Sequence, residues 1–180
     1  EDELNISFKS KGGVASLDII SLSKSISEAK LLSDIIILNV HAGNEFYPLP
    51  RPTLMKQLRF FAELGVYAII CHHTHTYSSY EVFKKVPIFY GIGNFLFYHN
   101  SPPIGWDTGL AISLEIDSVK KKITTYKVIP FIQDFKQKCI RLLNKKENKE
   151  WNKKQILFNK IKKNQKFYNK KWKAYVKKEG

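Results

Sequence analysis

Apolar positions in this chain recur with two different periods, and the chemically versatile side chains collect where one period gives way to the other. In SKSISEAKLLSD, Ile26, Ala29 and Leu32 fall at helical spacing behind a serine able to cap, which predicts a helix opening at Ser23. Ile35 to Val40 is apolar but for Asn39 and ends at His41, the pattern of a strand buried on both faces. The segment HAGNEFYPLPRP then reads as a long loop, and Leu54, Leu58, Phe61, Ala62 and Leu64 give a second helix that Gly65 stops. Tyr67 to Cys71 is the next strand, and it delivers the cluster HHTH. A unit of helix, strand and histidine loop is therefore repeated, and open α/β sheets bind ligands at the carboxyl ends of such strands.

The remaining pattern is more antiparallel. Leu4 to Phe8 reads as a short strand before a Lys-Gly-Gly turn; Tyr80 to Phe83 and Pro87 to Tyr90 read as a strand pair around a Lys-Lys turn. Leu110 to Ile116 and Ile123 to Ile129 flank the charged turn DSVKKK, so a mixed sheet is expected. From Phe135 onward the period becomes helical, with Trp151, Phe158, Ile161, Phe167, Tyr168, Trp172, Tyr175 and Val176 separated by lysines. This divides the chain into a body, 1–134, and a basic amphipathic helical tail, 135–180.

Charge sharpens that division. Residues 1–135 hold 13 basic and 13 acidic side chains, while residues 136–180 hold 17 and 3, so the whole formal excess of +14 belongs to the tail. A neutral body gives no bulk electrostatic reason for nucleic-acid binding. With 180 residues, 43% of them apolar, the chain can build one ordinary core. Cys71 and Cys139 are too few for a disulfide framework, and their settings read as a strand end and a helix. No run approaches 18 apolar residues, so no membrane span is predicted.

The candidate chemistry lies in the histidines. On an extended segment His73 and His75 would present their rings on one side, about 6 to 7 Å apart at the backbone, with His72 turned away. His41, at the end of the neighbouring strand with Asn39 and Glu45 close by, adds a third imidazole, a ligand suited to zinc, iron or nickel, while carboxylates and carbonyls would extend a site towards manganese. The same spacing also allows a purely local acid–base pair of His41 and Glu45. Cys71 next to His72 does not make a nucleophile and base, because neighbours on a strand face opposite ways; a small buried side chain is the better reading. GIGNF lacks the third glycine of a dinucleotide fingerprint and the Gly-Lys-Ser/Thr ending of a P-loop, and reads as a tight turn bringing backbone near the site.

Three motifs in order, SDIIILNVHAGNEF at 33–46, GVYAIICHHTHTYSSYEVF at 65–83 and VPIFYGIGNFLF at 86–97, resemble the bacterial capsule synthesis protein CapA family, the poly-γ-glutamate synthesis domain. The resemblance implies the C-terminal part of a metallophosphatase-like α/β/β/α sandwich with mixed sheets. By position it implies His41, His73 and His75 as metal ligands, with His41 and His73 also catalytic, and Glu45, Glu81 and Asn94 shaping the pocket. It implies divalent ions, manganese, zinc or iron, two in the intact protein, and a hydrolase-type reaction. Ala42, Cys71 and Thr74 stand where the family usually has tryptophan, glycine and proline, and Gly65-Val66-Tyr67 where it has Gly-Ala-Asp. The family's leading aspartate, Gly-Asp pair and Asn-His pair have no counterpart here, so the chain is expected to be part of a longer protein. This isolated chain is then not expected to catalyse by the family's route.

The resemblance further implies an anionic capsule polymer or its precursor as partner. It also implies a location at the bacterial cell envelope, on the outer face of the membrane if an upstream signal or anchor exists and in the cytoplasm otherwise. The basic tail allows a competing, non-catalytic role, in which lysines alternating with aromatic residues hold an acidic polymer or lie on an anionic membrane surface. No nucleic-acid partner is expected.

Overall fold

A computed structural model describes residues 15–179; the strand expected at Leu4 to Phe8 and its glycine turn lie outside them. Among the described residues the chain runs α1 (Ile19–Leu32), β1 (Ile37–His41), α2 (Pro52–Glu63), β2 (Ala68–His72), β3 (Tyr80–Phe83), β4 (Val86–Phe89), β5 (Thr108–Asp117), β6 (Lys122–Asp134), β7 (Cys139–Leu142), α3 (Lys145–Lys163) and α4 (Gln165–Glu179). The expected α/β class with mixed sheets holds: one sheet has the order β1-β2-β4-β3, the other β5-β6-β7.

In the first sheet β1, β2 and β4 are parallel and β3 returns antiparallel to β4. Its two faces are unlike. Val40, Ile69, Cys71 and Ile88 are buried in one core cluster with Leu54, Leu58 and Phe61 of α2 and with Phe158 and Ile161 of α3. The opposite face meets the second sheet, with Phe89 against Tyr126 edge to face at 5.5 Å and a groove of about 280 Å³ between Ile70, His72, Ile112 and Phe131. Helices on sheet on sheet is thus the order of the layers.

Three expectations change. The first helix is capped by Asp18, whose carboxylate accepts from the Ser21 amide, so it opens at Ile19 and not at Ser23. Ser23 instead donates back to the Ile19 carbonyl within the helix. Of its expected stripe Ile26 is buried but Leu32 is exposed. β1 is buried on one face only: it is an outer strand of its sheet, and Ile37, Asn39 and His41 are exposed while Val40 is buried.

The third change is in the segment after Phe135, which is not helical at first. Asp134 accepts from the amides of Lys136 and Gln137, the chain turns, and Cys139 lies in the strand β7 against β6. The cause is local: an Asx turn at Asp134 with left-handed Lys138 reverses the chain before helix can start. Helix begins only where Asn144 and Glu147 form a reciprocal capping box.

The helices join the core of the body: Tyr168 is fully buried and its hydroxyl donates to the Pro50 carbonyl, Gln155 donates to the Ser78 carbonyl, and Lys162 to that of Tyr80. Asn164 both ends α3 and caps α4, accepting from the Phe167 amide. No helix of the described residues is long and apolar enough to cross a membrane.

Candidate histidine site

β1 and β2 run side by side in register, pairing His41 with His72, and so end together. The two loops that leave them are laced by a hydrogen bond from the Phe46 amide to the Thr74 carbonyl. Small residues allow the approach. A Cβ on Gly43 would lie 2.6 Å from the Thr74 methyl, and one on Gly91 would lie 2.4 Å from the Thr74 hydroxyl. The GIGNF turn packs backbone against this loop, and Gly93, at φ +71, lies against the Thr108 carbonyl.

The loop after β2 is not extended. His73 and His75 both adopt left-handed backbone, at φ 80 and 56, and the buried Thr74 between them donates to the Thr76 carbonyl. Non-glycine residues held there carry backbone strain of about 1–3 kcal/mol each. The result still brings the rings to one side, with centroids 6.3 Å apart. His73 Nδ1 lies 3.2 Å from His41 Nε2, at a ring separation of 5.0 Å.

The orientation of His75 follows from its neighbours. Asn94 donates its amide N–H to the Trp106 carbonyl, a group that can only accept, so its oxygen faces His75 Nδ1 at 2.9 Å and must accept from it. Nδ1 therefore carries a proton, and Nε2 points towards Glu45, 3.9 Å from a carboxylate oxygen. The ring is clamped between aromatic planes: Trp106 stacks on it at 4.8 Å and 14°, with Phe46 at 6.0 Å and 24°.

His41, Glu45, His73, His75 and Asn94 are thus brought together. Glu81 is not. It lies beneath α2 and α3, bound twice by Arg59 at 2.8 Å and once by the Tyr90 hydroxyl at 2.6 Å, with no contact to any histidine. Burial alone would raise its pKa, but hydrogen bonds from Arg59 and Tyr90 and the charges of Lys162 and Arg59 outweigh it and hold the carboxyl below its ordinary value. Glu81 is a packing ion pair behind the sheet. His72 turns to the inter-sheet groove as expected; burial, then repulsion from His41, depresses its pKa. Cys71 is buried and its thiol is pushed up to about 12 by that burial, unlike an activated nucleophile.

Sequence reasoning missed Trp106. It is buried, stacks on His75, donates its indole N–H to the Phe97 carbonyl and gives its own carbonyl to Asn94 and Gln133. Its only signal was a lone tryptophan in a Pro-Pro-Ile-Gly loop. Also missed was the seating of α4, where Tyr175 stacks on Tyr47 at 4.1 Å with Trp172 beside it at 5.7 Å. Tyr47 follows Phe46, so the basic helix borders the histidine loops.

Two imidazole nitrogens bound about 2.0–2.1 Å from one tetrahedral ion sit about 3.3 Å apart. The 3.2 Å between His41 and His73 fits two corners of such a shell. No group of three His, Cys, Asp or Glu side chains among the described residues is close enough to complete it.

Over residues 3–99 the chain matches the family described as "Bacterial capsule synthesis protein PGA_cap". It is 33% identical over 96 residues to the Capsule biosynthesis protein CapA of Bacillus anthracis, which is 51% of this chain and 23% of that protein. To the PGA biosynthesis protein CapA of Bacillus subtilis strain 168 it is 34% identical over 89 residues, 49% of this chain and 23% of the relative. The chain spans about a quarter of the length of these relatives. The histidine loops fall inside the matched region, whereas β5 to β7, α3 and α4 fall outside it.

Proposed function

Because this chain belongs to the bacterial capsule synthesis family PGA_cap, we propose that the protein acts in making or attaching an anionic capsule polymer, such as poly-γ-glutamate, through the site built on His41, His73 and His75. The observation that carries this reading is the convergence of three histidines at the carboxyl ends of two parallel strands, beside a lysine-rich helix. The proposed location is the bacterial cell envelope, where such a polymer is assembled.

The chain's own residues can do the following. His41 and His73 share one proton across 3.2 Å, so one can take a proton from an attacking group while the other returns one to a leaving group. Asn94 fixes the tautomer of His75 and leaves its Nε2 facing Glu45. Phe46, Phe97 and Trp106 wall the ring and limit water on that side. A divalent ion, manganese, zinc or iron, would take the place of the shared proton between His41 and His73, with its remaining donors from outside the described histidine set, and would supply Lewis-acid polarisation of the group under attack. A second ion would need donors from outside this set.

A non-catalytic reading has its own support in α4. Its exposed Lys170, Lys171, Lys173 and Lys177 stand on a helix anchored against the histidine loops by Tyr47, Trp172, Tyr175 and Tyr168. That helix suits retention of an acidic polymer or an anionic membrane surface.

Metal content per chain of the full gene product, beside His73→Ala/His75→Ala, separates the two readings. Transition metal in the parent that is lost in the variant supports the hydrolase-type site. A metal-free parent, after incubation with manganese or zinc, overturns it and leaves the binding role.

A further inference from the structure

A second site lies at the other end of the parallel strands. Between α1, the β3–β4 hairpin and the start of β6 is a groove of about 890 Å³, floored by Ile36, Val66, Val86, Pro87 and Ile123. Ile36 and Val66 precede β1 and β2, so this groove and the histidines occupy opposite ends of the sheet.

Its charge is one-sided. Lys30, Lys84, Lys85 and Lys122 line it, against the single carboxylate of Asp34. Asp34 is held by Lys121 at 2.7 Å, Lys84 by Glu63 at 2.8 Å, and Lys30 donates to the Leu64 carbonyl. Among the described residues Lys85 and Lys122 have no ion-pair partner, although they rise from two different strand ends around the groove. Since basic and acidic side chains balance through residue 135, this is a local concentration and not an average property of the chain.

The backbone adds an independent observation. The hairpin turns on two residues that both need positive φ, and there Asn-Gly is the favoured pair because it carries no steric penalty. Here the pair is Lys84 at φ 46 and Lys85 at φ 75, and Lys121 on the facing turn sits at φ 49. Lysine brings strain to such positions and no turn chemistry. What it adds is charge: Lys84, Lys85 and Lys122 are exposed and stand around the groove with their ammonium groups able to reach a ligand in it.

We propose that this groove binds a multivalent anion, a ligand carrying two or more carboxylate or phosphate groups, through Lys85 and Lys122 with Lys30 and Lys84 alongside. The site is separate from the histidine loops and does not depend on their function.

Titration calorimetry of the full chain with tricarballylate and with tripolyphosphate, at low ionic strength, tests this. Lys85→Glu/Lys122→Glu is expected to weaken at least one probe tenfold or more, while Lys136→Glu/Lys149→Glu, the same charge change elsewhere, stays within twofold of the parent. Lys84→Asn/Lys85→Gly guards against misfolding, since it relaxes the turn: it should raise the melting temperature and still lose affinity. The stronger probe assigns carboxylate or phosphate. Failure of the parent to bind either probe, or equal weakening in the groove and control pairs, would overturn the proposal.

Discussion

Asn94 accepts the Nδ1 proton of His75 at 2.9 Å while donating to the Trp106 carbonyl at 3.2 Å, and so fixes a proton on Nδ1 and turns Nε2 towards Glu45. The carbonyl cannot donate, which forces the amide orientation and with it the tautomer.

Asn94→Leu removes that acceptor. His75 is expected to be largely the Nδ1–H form in the parent and a mixture in the variant, read from its ring nitrogen chemical shifts. If zinc or manganese binds here, its affinity should fall about 10–100-fold, the usual effect of losing a hydrogen bond that orients a ligand. An unchanged tautomer ratio would remove Asn94 from its assigned part.

Gly91→Ala should disrupt the histidine loop, because the new methyl would lie 2.4 Å from the Thr74 hydroxyl and 3.0 Å from Ser78. Overpacking of this kind costs about 1–3 kcal/mol. Denaturant unfolding is expected to show that loss, with much of it recovered in Gly91→Ala/Thr74→Ala, which vacates the space.

Tyr168 tests whether the helices are part of the folded body. Tyr168→Ala removes a fully buried ring from the shared core and should cost about 3–5 kcal/mol in global stability. Tyr168→Phe, which only leaves the Pro50 carbonyl without its donor, should cost about 1 kcal/mol. A helical tail that frayed independently would give a separate transition in place of a lowered single one.

Lys162 makes stability depend on alkaline pH. Burial pushes its ammonium down to about 8; Glu81 pulls it back up in part and Arg59 adds to the fall. The unfolded chain binds its proton up to the ordinary value of 10.5, so between about 8 and 10.5 the unfolded state holds more protons than the folded one. Stability contributed through Lys162 therefore rises with pH across that window, on the order of 3 kcal/mol. Lys162→Met should flatten this part of the stability profile, measured by denaturant unfolding from pH 7.5 to about 10.5.

The elements whose signals are local could be read from the sequence. The α2 stripe ended by Gly65, the Lys-Lys hairpin and the two strands that run into histidines depend on periodicity and on turn residues within a few positions, and the structure has them there. Likewise His41, His73 and His75 could be grouped because adjacent parallel strands deliver their loops to the same edge. The capping competition at α1 went to Asp18, whose carboxylate outbid Ser23 by reaching the helix's first free amides.

Other facts needed the fold. Glu81 lies within a few residues of the histidines, yet strand alternation and the antiparallel return of β3 turn it to Arg59 on the far side of the sheet. Trp106 reaches His75 from 31 positions away through a loop without period, and α4 reaches Tyr47 from beyond a break at Asn164. Spacing along a chain reports which residues share an element and a face. Which faces meet is settled by burial of apolar area and by pairing of polar groups between elements remote in sequence, and here that decided the walls of the histidine site, the lysine groove and the seat of the basic helix.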